Sequence, residues 1–396
     1  MEIFFRIHKT LVGQAGPTRT RRGLLDEIDL SGRLVGIRGA RGVGKTTLLL
    51  QIAEIYHTEE SRECLYVNLN HLYFADRTIL DFGREFYAAG GRRLLLDQVF
   101  KYPTWAEEIR MLLDACPELS IVFTTSAVTP PLKEIPHIAD FVKEYQLQGF
   151  SLREFINART GKALPRITLE DLLLRHEEIA PKILEEINVP EFYSEYLKRG
   201  YYPSTKDGQQ YYEQIVKALN MSLEVDVIYL AQVDPSYLGK LRKLAYILTT
   251  QGGQIPNISL LSNEIGTSRT TLLNYILDLS RAGIIRLVRK QGEENSTKKM
   301  GQVYAYNTSL LQVLYPHIPS REMERLVFLL SHLTPNYKVA VPIRKMSADI
   351  IVEDDVQVSV KEPNKIRKKQ SITYAVDYLS VGKENEIPTW LFGFLY

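Results

Sequence analysis

The sequence is poor in the residues on which disulfide-stabilised and zinc-binding domains depend. Its 396 residues include two cysteines, Cys64 and Cys116, and neither belongs to a CxxC pair or has a histidine beside it. This arrangement excludes a disulfide framework and a cysteine-rich zinc module. The seven histidines are scattered without an HExxH motif or a paired spacing, so the sequence predicts no metal site built on histidine.

Long apolar runs and a charge excess of one sign are also missing. No stretch approaches the ~20 apolar residues that a membrane-spanning helix needs. Glu2, Arg6 and Lys9 interrupt the apolar residues at the N-terminus, unlike the core of a signal peptide. We therefore expect a soluble, cytoplasmic protein with no membrane partner. The formal net charge is +2, so any argument for nucleic acid must rest on local patches.

The first part of the chain has the pattern of an α/β domain. Short apolar runs alternate with helical patterns up to about residue 165, which predicts a parallel sheet covered by helices on both faces. The candidate strands are Leu34–Ile37, Cys64–Asn68, Arg93–Leu96, Ser120–Thr124 and Tyr145–Leu147.

A glycine-rich segment follows the first candidate strand and precedes a helical pattern. It fits G-x-x-x-x-G-K-[ST], the Walker A motif or P-loop, in which backbone N–H groups and a helix N-terminus bind phosphates. Lys45 would reach the β- and γ-phosphates of ATP, and the Thr46 hydroxyl would ligate Mg²⁺. The predicted nucleotide-binding residues are Gly39, Ala40, Arg41, Gly42, Val43, Gly44, Lys45, Thr46 and Thr47.

A second carboxylate for the metal is expected at the end of another strand. Asp97 ends the apolar run Arg93–Leu96 and fits this Walker B position. The next residue is Gln98, and an amide orients a water by hydrogen bonds but does not accept its proton as a carboxylate does. We therefore expect ATP binding with weak or absent hydrolysis. Ser126, after the strand Ser120–Thr124, is either a sensor of the γ-phosphate or part of an ordinary turn.

Several segments together resemble the bacterial and archaeal AAA-type P-loop ATPases with a C-terminal domain of unassigned function. The resemblance implies that the strand leading to Ser126 is inserted between the P-loop strand and the Walker B strand. It implies Lys45, Thr46 and Asp97 as nucleotide and metal residues, and Gln98 departs from the acidic residue of the family. Arg153 would contact phosphate as an arginine finger, or is a solvated residue beside Glu154. The segments are Gly39–Thr46, Leu94–Tyr102, Pro103–Trp105, Ile121–Ser126, Ser151–Phe155, Tyr196–Pro203 and Trp390–Tyr396.

A helix, helix, turn, helix and hairpin pattern follows between Leu238 and Asn307. This is the plan of a winged helix-turn-helix. One interpretation is DNA binding, with the third helix at the bases and the hairpin at phosphates. The other is a module that packs against the ATPase core or joins subunits. The candidate DNA contacts are Arg269, Thr270 and Asn274 on the third helix, and Arg286, Arg289, Lys290, Lys298 and Lys299 on the hairpin.

The C-terminal residues predict a small α/β unit. After a helix at Arg321–Leu333, alternating segments are followed by a helical stretch and a final apolar strand, Thr389–Tyr396. The positions of Asp349, Ser359 and Lys361 resemble those of the active-site residues in a restriction-endonuclease-like core. Such a nuclease requires a second acidic residue where Ser359 stands, so we expect an inactive descendant. The nearby basic residues, which form a solvated face or extend a phosphate-binding surface, are Lys365, Arg367, Lys368 and Lys369.

The sequence therefore leaves two main hypotheses for function. The first is an ATP- and Mg²⁺-binding switch that is associated with DNA. The alternative is a protein whose assembly, for example into a homo-oligomer, is controlled by the nucleotide, with no nucleic-acid partner. An active nuclease is a third hypothesis, which Ser359 disfavours. The predicted parts are a P-loop core over residues 1–165, a helical lid over 166–230, a winged helix over 231–310 and a nuclease-like α/β domain over 311–396.

Overall fold

A computed structural model describes most of the chain as two compact units. They comprise Met1–Gln148 and Gly149–Tyr396. The description covers residues 1–13, 20–56, 62–204, 208–230, 232–293, 296, 299–315, 317, 319–343, 348–361 and 371–396. Within these ranges, no helix combines the length and apolar character needed to cross a bilayer.

The first unit is a parallel sheet with helices packed on it. The strands lie in the order β2-β3-β4-β1-β5, and every neighbouring pair is parallel. The predicted parallel-sheet α/β core is thereby confirmed, and β4 lies between β1 and β3 as the resemblance implies. The strands are β1 Leu34–Gly39, β2 Cys64–Asn68, β3 Arg93–Asp97, β4 Ser120–Ser126 and β5 Lys143–Gln146, and the helices are α1 Glu2–Gly13, α2 Lys45–Ile55, α3 Ile79–Ala88 and α4 Trp105–Ala115.

The four strands β1 to β4 are largely buried, as expected of a sheet covered by helices on both faces. β3 is almost wholly apolar until it reaches Asp97, and all but its first residue are buried. Phe4, Phe82 and Phe86 of the helices pack with the strand residues in one apolar core. Parallel strands that start at one level also end at one edge, so the polar residues at their carboxyl ends are brought together.

The second unit contains ten helices of the described residues and two small sheets. Its N-terminal half is helical and includes a π-helical stretch, Ser222–Leu230. The assignment of residues 166–230 to a helical lid stays a prediction. The helices are α5 Leu152–Thr160, α6 Leu169–Leu174, α7 His176–Glu186, α8 Val189–Arg199, α9 Gly208–Met221, α10 Leu238–Thr250, α11 Ile258–Ile265, α12 Arg269–Arg281, α13 Thr308–Leu314 and α14 Arg321–Leu333. The strands are β6 Ile285–Val288, β7 Gln302–Ala305, β8 Val339–Ala340, β9 Ile350–Val352, β10 Val356–Lys361, β11 Thr373–Val376 and β12 Glu386–Pro388.

The C-terminal sheet differs from the prediction in two places. Its order is β12-β11-β10-β9-β8, with antiparallel pairs from β8 to β10 and parallel pairs from β10 to β12. The predicted helical stretch before Thr389 is wrong in its described part, which contains β11 and β12. The predicted strand Thr389–Tyr396 is also wrong, because Thr389–Phe394 is a buried 3₁₀ helix. A continuous apolar run does not distinguish a buried strand from a buried helical turn.

One apolar core runs through most of the second unit. It joins residues of α5 and α8 with Val288 of β6, Tyr304 of β7 and the C-terminal sheet. The helix α5, which the sequence assigned to the P-loop core, packs here against α8 and the C-terminal 3₁₀ helix. The predicted four-part division stays a prediction. Residues from each of its last three parts contribute to this one core.

A buried histidine connects two helices inside this core. His332 of α14 donates through Nδ1 to the Phe328 carbonyl at 2.8 Å. Its Nε2 accepts from the Leu152 N–H in the first turn of α5 at 3.3 Å. The ring also stacks on Tyr396, with centroids 5.3 Å apart. Burial lowers the pKa of His332 to about 4, from a usual value of 6.5.

We expect this histidine to make the second unit sensitive to acid. The folded chain keeps His332 neutral, while the unfolded chain takes up a proton as the pH falls below 6.5. The contribution of His332 to stability is therefore complete above pH 6.5 and is lost as the pH falls toward 4. The loss should amount to about 3 kcal/mol in the free energy of unfolding.

The measurement is denaturant unfolding of the chain and of His332→Gln over this pH range. Glutamine keeps a donor and an acceptor but does not titrate, so its unfolding free energy should fall less on acidification. Equal pH slopes in the two proteins would contradict the prediction.

Candidate functional site

The loop after β1 has the backbone conformation of a phosphate-binding turn. Gly42 and Gly44 have φ values of 85° and 98°, a region that side chains other than glycine rarely adopt. A Cβ atom on Gly39 would lie 2.6 Å from the Leu147 carbonyl oxygen, so that position also requires glycine. The loop leads directly into α2 at Lys45, and the N-terminus of a helix favours an anion.

The side chain of Lys45 lies over the P-loop. Its Nζ donates to the carbonyl oxygens of Gly39 at 2.7 Å and Ala40 at 2.8 Å. The ammonium group is thus held beside the loop by backbone acceptors, which a phosphate oxygen can replace as partners. This position fits the role that the sequence assigns to Lys45.

The carboxylate of Asp97 is buried at the end of β3 and accepts hydrogen bonds from hydroxyl groups on three elements. Thr46 of α2 donates to Oδ2 at 2.7 Å. Tyr66 of β2 donates to the same oxygen at 2.9 Å. Thr124 of β4 donates to Oδ1. The side chain of Asp97 is therefore fixed in orientation by its neighbours and faces the start of α2.

The donors at this position fit a magnesium ion. Thr46 gives its only hydroxyl hydrogen to Asp97, so its oxygen lone pairs remain available to a cation. A hydroxyl and a carboxylate are the oxygen ligands that Mg²⁺ uses beside phosphates and water. No cluster of three or more His, Cys, Asp or Glu side chains suited to a metal occurs in the described ranges. The site thus has the few protein ligands that are typical of a cation shared with a nucleotide.

Gln98 directly follows Asp97 and adopts an uncommon backbone conformation. Its φ and ψ are 61° and 44°, in the left-handed region. Its N–H donates to the Thr124 hydroxyl at 2.9 Å, and a 3₁₀ turn, Val99–Lys101, follows. Strained backbone of this kind concentrates at functional sites. The residue that the sequence places near the attacking water is thus tied to Asp97 through Thr124.

Thr124 is the β4 side chain that contacts Asp97, and the role of Ser126 as a γ-phosphate sensor stays a prediction. Ser126 pairs in register with Gly39, and its hydroxyl accepts from the Val128 N–H at 3.3 Å. Thr124 lies two residues earlier and on the same face of the strand. Tyr66 was missed as well, since no motif marks it. Burial and the neighbouring Asp97 raise the pKa of Tyr66 and keep its hydroxyl a donor.

Arg153, the predicted arginine finger, belongs to the second unit. Its guanidinium donates to the carbonyl oxygens of Tyr396 at 3.1 Å and Leu164 at 3.4 Å. These contacts hold α5 against the C-terminal residues of the same unit. The role of Arg153 toward phosphate stays a prediction.

The predicted DNA contacts differ in how accessible they are. Arg269 and Asn274 on α12 are exposed. Arg286 is buried and donates to the Tyr306 carbonyl, with its guanidinium 4.1 Å from the Tyr306 ring, so its predicted phosphate contact is wrong. Thr270 and Lys290 are also exposed, Arg289 is half-buried, Lys299 pairs with Glu293 at 2.6 Å, and Lys298, Lys365, Arg367, Lys368 and Lys369 lie outside the described residues.

The hairpin β6–β7 is joined to the C-terminal sheet by backbone hydrogen bonds. The Val341 N–H donates to the Arg289 carbonyl at 2.8 Å, and the Gln291 N–H donates to the Val341 carbonyl at 2.9 Å. The Gln291 side chain also donates to the Asp354 carbonyl at 2.8 Å. One side of the hairpin is therefore paired with the sheet that follows it in the chain.

The nuclease-like residues of that sheet form hydrogen bonds among themselves. Asp349 Oδ2 accepts from the Ser359 hydroxyl and from the Val360 N–H, both at 2.8 Å. Two neutral donors thus occupy the carboxylate oxygen that a nuclease would offer to a metal. The Ser359–Asp349 pair has the features of a structural contact, and the inactive nuclease-like core stays a prediction.

Comparisons with known proteins match two separate parts of the chain. Residues 31–156 match the family model described as an AAA domain. Residues 190–320 match a domain of unknown function, DUF8612. Together with the parallel sheet, the first match identifies the first unit as an α/β core of the AAA-type P-loop NTPase fold. That part of the prediction is confirmed.

The individual similar proteins are distant. An uncharacterized protein of Methanocaldococcus jannaschii is 24% identical over 283 residues, which are 68% of this chain and 59% of that protein. PCH-2 of C. elegans is 14% identical, with 70% of this chain and 66% of that chain covered and a TM-score of 0.23. A DNA polymerase III gamma subunit-related protein of Thermotoga maritima is 11% identical, with 65% and 97% covered and a TM-score of 0.27. The TM-scores of these two structures are too low to support any argument.

Thr124 and Ser126 can be separated by paired substitutions on β4. Thr124→Val removes the donor to Asp97 and the acceptor of the Gln98 N–H, while Ser126→Ala leaves the Asp97 contacts intact. We expect Thr124→Val to weaken Mg²⁺-dependent ATP binding by about tenfold, the effect of one lost hydrogen bond to a charged group. Equilibrium titration with a fluorescent ATP analogue measures this. An equal or larger loss in Ser126→Ala would show that the wrong hydroxyl was assigned.

Proposed function

We propose that this chain binds ATP together with Mg²⁺ and acts as a nucleotide-dependent switch. The observation that carries the proposal is the alignment of Lys45, Thr46 and Asp97 at one edge of the sheet. Thr46 donates to Asp97, and Lys45 lies on the carbonyl groups of the loop. Glycine is required at three positions of that loop by close approach or by positive φ.

Each residue has a role that its chemistry supports. The backbone of Gly39–Gly44 and the first turn of α2 would bind the phosphates, and Lys45 would bind the β- and γ-phosphate oxygens. Thr46 and Asp97 would hold the cation, with Tyr66 and Thr124 orienting the carboxylate. Bound Mg²⁺ supplies positive charge that offsets the charge of the phosphates.

Hydrolysis of the bound ATP would be slow because Gln98 stands where a general base is needed. A carboxylate at this position would take a proton from the attacking water, and general-base catalysis of this kind contributes roughly 10²–10⁴-fold. The amide of Gln98 orients a water but does not perform that step. ATP would then remain bound for long periods, as suits a switch whose output is a change in conformation.

The second unit has two candidate partners, DNA and further copies of the chain. DNA association, through a winged helix-turn-helix interpretation of α10–α12 and β6–β7, would rely on the exposed residues Arg269 and Asn274. The pairing of the hairpin with the C-terminal sheet favours the alternative, in which the unit is a scaffold for nucleotide-gated assembly. An ATP-dependent homo-oligomer without DNA would support that alternative.

Restoring an acidic residue at position 98 tests the switch. We expect Gln98→Glu to raise the steady-state rate of ATP hydrolysis by about 10²-fold, because it supplies a general base beside Asp97. Phosphate release is the measurement, with ATP at saturation. Gln209→Glu, at an exposed glutamine of α9, is the matched control and should leave the rate unchanged. A rate in Gln98→Glu equal to that of the unmodified chain would mean that Gln98 does not position the water.

Removing an exposed cation from α12 tests DNA association. If α12 contacts the bases of DNA, Arg269→Ala should weaken binding by about tenfold at each salt concentration. Arg281→Ala is the control, since Arg281 lies on the same helix and pairs with Asp278. Fluorescence anisotropy with duplex DNA at several salt concentrations measures both. Absence of binding at low salt, or equal losses in the two variants, would favour the assembly alternative.

A further inference from the structure

Arg22 is a buried arginine whose guanidinium connects two carbonyl groups far apart in the sequence. Its Nη1 donates to the Val43 carbonyl at 2.6 Å, and its Nη2 donates to the Gln148 carbonyl at 2.8 Å. The residue is 3% exposed. Val43 belongs to the P-loop, between the two glycines of positive φ. Gln148 is the last residue of the first unit.

The backbone around Arg22 is itself fixed to the helix that follows the P-loop. The Arg22 N–H donates to Gln51 Oε1 at 3.2 Å, and Gln51 Nε2 donates to the Thr20 carbonyl at 2.6 Å. Gln51 is a buried residue of α2. Arg22 is thus anchored through its main chain, while its planar guanidinium sets the positions of two backbone segments at once.

The chain on the other side of Gln148 has little freedom. A Cβ atom on Gly149 would lie 2.4 Å from the Tyr201 carbonyl oxygen. The next residue, Phe150, donates its N–H to that same oxygen at 2.7 Å. The peptide that joins the units is therefore held by Arg22 on the side of the first unit and by Tyr201 within the second. A shift of the Gln148 carbonyl would therefore change the backbone at Gly149 and Phe150.

We propose that Arg22 is a positioning residue that transmits the nucleotide state of the P-loop to the Gln148–Gly149 junction. The inference rests on the proposed binding of ATP. Nucleotide binding would draw Lys45 from the Gly39 and Ala40 carbonyls to the phosphates and so change the loop that contains Val43. Because one guanidinium holds Val43 and Gln148, the junction follows the loop.

The experiment is hydrogen–deuterium exchange of the full chain with and without Mg·ATP. Arg22→Lys keeps the charge but loses the rigid fork that spans two carbonyls. Arg21→Lys is the matched control, because Arg21 is the adjacent residue, is exposed and pairs with Asp26. Peptides covering residues 39–48 report on the loop, and peptides covering residues 145–152 report on the junction. ATP is raised to saturation in each protein, since Arg22→Lys should bind it about tenfold more weakly.

The expected result is a loss of coupling with binding retained. Mg·ATP should slow exchange at both segments in the unmodified chain and in Arg21→Lys, with the same midpoint of ATP concentration for the two segments. In Arg22→Lys the loop should still respond, and the response of the junction should be lost. A purely structural role would instead raise exchange at both segments regardless of ATP.

Two results would overturn the inference while leaving ATP binding intact. One is a junction response in Arg22→Lys equal to that of the unmodified chain. The other is an unmodified chain whose loop responds to Mg·ATP while its junction does not, and this test does not depend on any variant folding. No response of the loop in the unmodified chain would overturn the proposed function, and the inference with it.

Discussion

The buried carboxylate of Asp97 is the group on which the candidate site depends. A carboxylate without partners at this depth would be costly, and the fold offsets the cost with hydroxyl donors from α2, β2 and β4. These hydrogen bonds also define geometry, since they fix where Asp97 faces and where Thr46 presents its lone pairs. Through Thr124 the same network reaches Gln98. The start of α2, the carboxylate and the backbone of Gln98 are therefore connected by hydrogen bonds.

Local sequence predicted the parts of this site that depend on local structure. The Walker A glycines and Lys45 are recognisable because a strand, a tight turn and a helix must follow one another within a few residues. Asp97 is recognisable because a buried apolar strand ends in an acid. Thr124 and Tyr66 are not, because their contacts with Asp97 depend on which strands lie side by side. The order β2-β3-β4 brings them together, and this order is a property of the whole sheet.

The errors in the second unit have the same origin. The run from Thr389 to Phe394 is buried throughout and mostly apolar, which is typical of a buried strand, but it forms a 3₁₀ helix. Arg286 lies on a hairpin rich in cations, yet it is buried against Tyr306. A pattern shows that a side chain is basic, whereas the packing of α14 and the C-terminal sheet decides whether it reaches solvent. The core shared by β6, β7 and the C-terminal sheet depends on contacts between distant residues, which no local pattern shows.

The central claim is that Asp97 and the P-loop together make a site for a nucleotide with its cation. The most direct measurement is calorimetric titration of ATP into the unmodified chain and Asp97→Ala, in Mg²⁺ and in EDTA. We expect the unmodified chain to bind ATP more tightly in Mg²⁺ than in EDTA. Asp97→Ala should lose that difference while weak metal-free binding persists. Equal Mg²⁺ dependence in the two proteins, or no binding by the unmodified chain, would contradict it.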